Sequence, residues 1–307
     1  TLGNITIHAA TIIDSGTGAL TLGNIVIDDG VTLLLGTGVA TMITVTGSIS
    51  GTLLGAVSNL EFDTTGAVSV TGPVGVDLGT VTVTNSGSAS FASAVTATTV
   101  TLTATTGTVT FTGAVTAATL NVLVGVNNVA ILGSGTTITN LVTFSNTGSV
   151  TLGDAAADTL TFNGGITATA PASKSIAGTI ATSADAVNLG TSATTVTANA
   201  TITPGAAAIT LAAVTINSGV TLTLGAGAAT PVSTGTVSGA AASGNLTINT
   251  TAAVTVAAVA GPNMGTVTIT NSGGTTFSGG VTATTVTLTA TTGTITFNGA
   301  LVTSGNL

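Results

Sequence analysis

The chain has 307 residues, of which 3% are charged and 2% aromatic, with no Trp, Tyr or Cys and one strong base, Lys174. Ordinary globular domains carry about 25% charged residues, so solubility here rests on uncharged polar groups, chiefly Thr with Ser and Asn. A formal charge of −8 excludes nucleic-acid binding by phosphate neutralisation, and zero cysteines exclude a disulfide scaffold.

From the first residue onward the local pattern is strict alternation of β-branched residues. Thr80-Val81-Thr82-Val83-Thr84, Thr99-Val100-Thr101-Leu102-Thr103 and Thr266-Val267-Thr268-Ile269-Thr270 each predict a strand with one apolar and one hydroxyl face. Between strands, Asp28-Asp29-Gly30, Asn85-Ser86-Gly87, Thr106-Gly107 and Asn217-Ser218-Gly219 read as turns. The stretch Thr169 to Asn188 contains Pro171 and Lys174 and reads as an irregular loop or bulged coil. Within it, Ser183 to Asn188 is the nearest helical candidate. With 44% hydrophobic residues the chain is too apolar for disorder, yet it has no unbroken run of about 18 apolar residues to span a membrane. An outer-membrane barrel would need Trp and Tyr girdles that this composition lacks.

Two periods overlie the alternation. Gly79–Thr98 aligns with Thr99–Ala118, placing Phe111 one period after Phe91, and Phe297 follows Phe277 at the same spacing. A period near 20 predicts one coil of a three-sided, single-stranded parallel β-helix, with the Phe pairs stacked as short ladders in its core. The long period is 186 to 190: residues 1–121 match about 189–307, and 122–188 occur once. The expectation is an all-β protein, one continuous β-solenoid over 1–307 of about 15 coils, roughly 70 Å long at the interstrand spacing. Thr1 starts in mid-pattern without initiator Met or signal peptide, and Leu307 stops partway through a repeat. These ends read as uncapped, so the chain is expected to continue beyond this window or to stack end to end on copies of itself.

Few residues carry chemistry. His8, the sole imidazole, matches Ala198 in the second copy and reads as a solvent-facing strand position rather than a triad base. Glu61 and Asp63 share a strand face, but their counterparts are Thr247 and Asn249, so a solvated face is preferred to an acid/base pair. Asp28 with Asp29, and Asp154 with Asp158, are weak calcium candidates. For Asp28 and Asp29, the second copy, Asn217-Ser218, keeps the turn and loses the charge. Gly36-Thr37-Gly38 and Gly225-Ala226-Gly227 lack the Lys and following helix of a phosphate loop. Asn4, Asn199, Asn245 and Asn249 head glycosylation-type triplets that a Thr-rich chain produces by chance. No catalytic residue and no cofactor is assigned. Registered Thr-x-Thr strands would form a hydroxyl–methyl lattice of the kind ice-binding solenoids use. Thr nevertheless falls on nearly every strand, which favours a general role as an uncharged surface residue.

The coils exemplified by Thr-Val-Thr-Leu-Thr-Ala-Thr-Thr-Gly-Thr-Val-Thr-Phe (99–111) and Thr-Gly-Ala-Val-Thr-Ala (112–117) resemble repeats of filamentous-haemagglutinin-like and autotransporter-like bacterial surface adhesins. That resemblance implies a right-handed parallel β-helix, secreted, extending from the cell and serving in adhesion or matrix; the expected partners are copies of the chain itself and cell-surface glycans. The family's secretion and translocator domains are not seen, and no binding residue carries over. The expected function is therefore a self-assembling extracellular filament or surface-layer-like fibre. The alternatives are the stalk of a large adhesin and an ice- or glycan-binding solenoid.

Overall fold

A computed structural model describes residues 1–53, 55–240, 243–260 and 263–305. The described residues form strands and turns without helix, and every assigned strand pairing is parallel, giving a β-solenoid of about 14 turns of about 21 residues. The chain divides into two compact units, Thr1–Val150 and Thr151–Leu307.

In the first unit each turn contributes to three ladders. Ladder A holds Ile5–Ile7, Ile25–Ile27 and Ile49–Gly51, then Val74, the start of Val95–Phe111 and the start of Val115–Ile131. Ladder B runs through Thr11–Ile13, Thr32–Leu35, Ser58–Asp63 and Leu78–Asn85 into the middle of the same two long strands. Ladder C runs through Ala19–Leu22, Met42–Val45, Ala67–Val70 and Ser88–Phe91 into their ends. The two long strands thus wrap around the corners instead of stopping at them.

The second unit repeats the plan. One ladder contains Ser173–Ala181, Thr194–Thr203, Val214–Ile216 and the later parts of Val232–Gly239 and Val254–Ala260. A second passes from Thr159–Phe162 through Thr221–Leu224 to Thr285–Thr289. A third passes from Ile166–Thr167 through Ile209–Leu211 to Ile295–Phe297.

The alternation of the sequence produces this directly. Val81 and Val83 point inward with at most 1% exposure, while Thr80, Thr82 and Thr84 remain half-buried on the outside. Phe91 and Phe111 are registered partners whose rings stack with centroids 5.1 Å apart, and Phe277 and Phe297 do the same at 5.1 Å. Offset stacking of this kind adds to the apolar area each ring buries. Phe62 joins the first stack edge-on to Phe91.

Coil length varies more than the sequence period suggests. Thr80 pairs with Thr99, just short of the period, whereas Thr32 pairs with Asn59, well beyond it. Two further readings change. Ser183–Asn188 is not helical, because Val187–Leu189 is held as a strand between Ile166–Thr167 and Ile209–Leu211. Thr106-Gly107 is not a turn but a corner inside a continuous strand. Gly107 is there because a Cβ would lie 2.4 Å from the Gly87 carbonyl oxygen of the coil beneath. The stretch 169–188 carries Ser173–Ala181 and a bulge between Ile176 and Gly178.

Candidate functional site

The acidic turns use their carboxylates on neighbouring coils. Asp28-Asp29-Gly30 and Asn217-Ser218-Gly219 make the same turn, the N–H of Val31 donating to Asp28 O at 3.0 Å and that of Val220 to Asn217 O at 3.1 Å. Asp28 Oδ2 lies 2.7 Å from His8 Nδ1, whereas Asp29 accepts a hydrogen bond from the Thr52 hydroxyl, so the two acids do not converge. His8 sits one residue beyond Ile5–Ile7, off the strand position expected for it, in an exposed ion-pair geometry. Glu61 accepts from the Thr84 hydroxyl and Asp63 from Asn85 Nδ2 at 2.7 Å, each toward the following coil.

Asp158 is buried, and its Oδ2 accepts the N–H groups of Asp154 at 2.9 Å and Ala155 at 2.8 Å, closing its own turn. Partial desolvation in the turn, with the Asp158 carboxyl beside it, raises the pKa of Asp154, which itself stays exposed. Among the described residues no group of three or more His, Cys, Asp or Glu side chains is placed to hold a metal ion.

Asp14 carries a site that the sequence did not single out. The Thr37 hydroxyl donates to it at 2.6 Å and the Thr41 hydroxyl at 2.9 Å, and these donors, Thr37 foremost, hold its carboxyl below the ordinary value. The four glycosylation-type asparagines are also committed between coils. Asn4, Asn199 and Asn245 accept the N–H of Asn24, Thr221 and Thr266, and Asn249 accepts from Asn271 Nδ2.

Lys174 is the least expected placement. It registers with Thr194, shares the inward side with Ile176 and is 3% exposed. Its Nζ donates to Ser192 Oγ, which in turn donates to Pro171 O. Removal from water pushes the lysine pKa down.

The outer side of the second unit carries a column of threonines in consecutive coils. Thr159 registers with Thr179, then Thr201, Thr223, Thr247, Thr268 and Thr287. In the first unit the corresponding column reads Ile12, Leu34, Glu61, Thr82, Thr101 and Asn121. The step along the threonine column is uneven, longest from Thr223 to Thr247 and shortest from Thr268 to Thr287, so a single fixed period does not find it. Backbone spacing sets neighbouring positions about 4.8 Å apart along the column and about 6.7 Å apart along a strand. A hollow of about 280 Å³ lined by Thr179, Asn199, Thr201, Thr221 and Thr223 dents this face beside the bulge.

No protein-family model, curated protein or solved structure matches the chain.

Proposed function

We propose that the chain is a structural protein of the cell exterior, a stiff solenoid segment whose copies associate into a filament or surface-layer-like fibre. The observation that carries this reading is the set of three in-register parallel ladders in each unit. They hold each coil through its neighbours and make the fold extensible by repetition. The backbone pairing that adds coil to coil within a unit is the same pairing by which one chain adds to another.

Two features support an exterior location. The sole Lys is buried within a strand, which leaves trypsin-like proteases no exposed basic residue. The resemblance to bacterial surface adhesins points the same way. Electron microscopy of native protein at neutral pH tests the proposal. Uniform fibres are expected. Isolated short rods would move the rigid stalk of a larger adhesin to first place, and compact particles would overturn both.

The threonine column favours a second reading, in which the second unit binds an ordered array of water in ice or of hydroxyls on a glycan. It predicts altered ice growth, or retention on an insoluble polysaccharide. Either effect should be lost in Thr223→Lys/Thr247→Lys. Absence of both effects in the parent protein removes this reading.

A further inference from the structure

We infer that the first unit carries a binding cleft for a primary ammonium on an alkyl chain, as presented by a lysine side chain of a partner protein. The cleft lies where ladder A thins to a single residue, Val74, bridging Ile49 and Val95. Just beyond it, Val76 and Asp77 are non-glycine yet have φ of 57° and 60°. This left-handed conformation is strained, most of all for a β-branched valine.

The backbone is fixed there by coil-to-coil bonds. Gly51 N–H donates to Val76 O at 2.8 Å, and Ser58 N–H donates to Asp77 O at 3.1 Å. A Cβ on Gly51 would lie 2.5 Å from Asp77 O, so the close approach needs glycine. The geometry opens a cavity of about 340 Å³ walled by Val57, Leu78, Ala97 and Ala118, with Asp77 and Thr98 among its lining residues. That volume lies in the range of small-ligand sites.

Asp77 differs from the other carboxylates of this unit. Asp14, Asp28, Asp29, Glu61 and Asp63 each have a side-chain partner on another coil. Asp77 Oδ2 is buried with no hydrogen-bond partner among the described residues. Asp77 lines the cavity, and with Oδ2 buried its Oδ1 is the oxygen left to meet a ligand there. A carboxylate left without a protein partner beside apolar walls is best satisfied by a cationic donor. The first unit holds these six acids and no Lys or Arg, and Lys174 of the second unit is buried and committed to Ser192, so no lysine or arginine side chain of this chain is free to supply the cation. An alkyl stem fits the valine, leucine and alanine walls while its ammonium reaches Asp77 and the Thr98 hydroxyl.

The test is an NMR titration of the full chain with n-butylammonium, using 1-butanol as the neutral isostere and glucose as a saccharide control. Saturable shifts at Val57, Leu78 and Ala118 are expected, with a dissociation constant on the order of a millimolar, weakening with salt. Asp77→Asn preserves shape and should weaken binding about tenfold or more, the loss of one charge-assisted contact. Ala118→Leu keeps the carboxylate, fills the wall and should abolish the shifts. Folding of both variants is checked by their unchanged spectra away from the cleft. No binding by the parent chain, equal binding of 1-butanol, or undiminished binding by Asp77→Asn would each overturn the proposal. Preference for glucose would replace the lysine partner with a glycan.

Discussion

Lys174 Nζ donates to Ser192 Oγ from inside the wall of the second unit, and Ser192 hands its own proton on to the carbonyl of Pro171. The only strong base of the chain is thereby spent in the interior, where charge is disfavoured. Because the folded pKa is lowered, the unfolded state binds more protons. The stability this group permits is fully present above the ordinary lysine value, about 10.4, and is lost as pH falls through the lowered folded value. Urea midpoints are therefore expected to rise with pH on the alkaline side. Lys174→Met should remove that slope and stabilise the second unit by about 1–3 kcal/mol, since Ser192 keeps Pro171 as its acceptor. A pH-independent midpoint in the parent protein would contradict the inward lysine.

The phenylalanine stacks give a second expectation. Phe111 is fully buried against Phe91, whereas Phe297 is half-buried against Phe277. Phe111→Ala should cost about 3–5 kcal/mol, the usual range for emptying a buried aromatic site. Phe297→Ala should cost clearly less, because part of that ring already meets water. Chemical denaturation of the two variants compares them, and equal losses would contradict the difference in burial.

Asp14 makes its own contribution on the acid side. Its hydroxyl donors favour the ionised form, so the contribution is present above the unfolded carboxylate value and is lost as pH falls through the lowered folded one. Carboxyl-carbon NMR should find Asp14 titrating below the ordinary Asp value. Thr37→Val should raise it more than Thr41→Val, in the order of their influence. Titration unchanged from the parent chain in both variants would show that the hydroxyls do not hold the carboxylate.

What was legible in the sequence followed from geometry local to a strand. Alternation placed Val81 and Val83 inside and Thr80 and Thr82 outside, and the short period shared by Phe91 and Phe111 placed them in one stack. What was hidden depends on register between coils. The threonine column is invisible to a fixed period because its step lengthens between Thr223 and Thr247 and shortens between Thr268 and Thr287. Lys174 lay beside Pro171 in a stretch that looked irregular, although its alternation with Ile176 puts both on the inward side. Val76 carries no sequence signal for a left-handed backbone, and Asp77 only the weak one that Asp shares with Asn. Their conformation is imposed by the coil below through Gly51 and Ser58.

Proteolysis joins the buried lysine to the proposed exterior role. Trypsin needs an extended, accessible basic residue, and Lys174 lies inside Ser173–Ala181, hydrogen-bonded on the ladder to Thr194–Thr203. Native protein should stay intact through prolonged digestion. Partial denaturation should yield two fragments, 1–174 and 175–307, because the chain has one Lys and no Arg. When opening and closing are fast relative to cleavage, the cleavage rate reports the population of the opened second unit. Lys174→Arg keeps the cleavage chemistry but places a larger, permanently charged group in the wall. That variant should be cut faster under native conditions, in proportion to its lost stability. Rapid cutting of the native parent chain would instead mean that the strand around Lys174 opens on its own, and the lysine could not then serve as a sealed part of an exposed fibre.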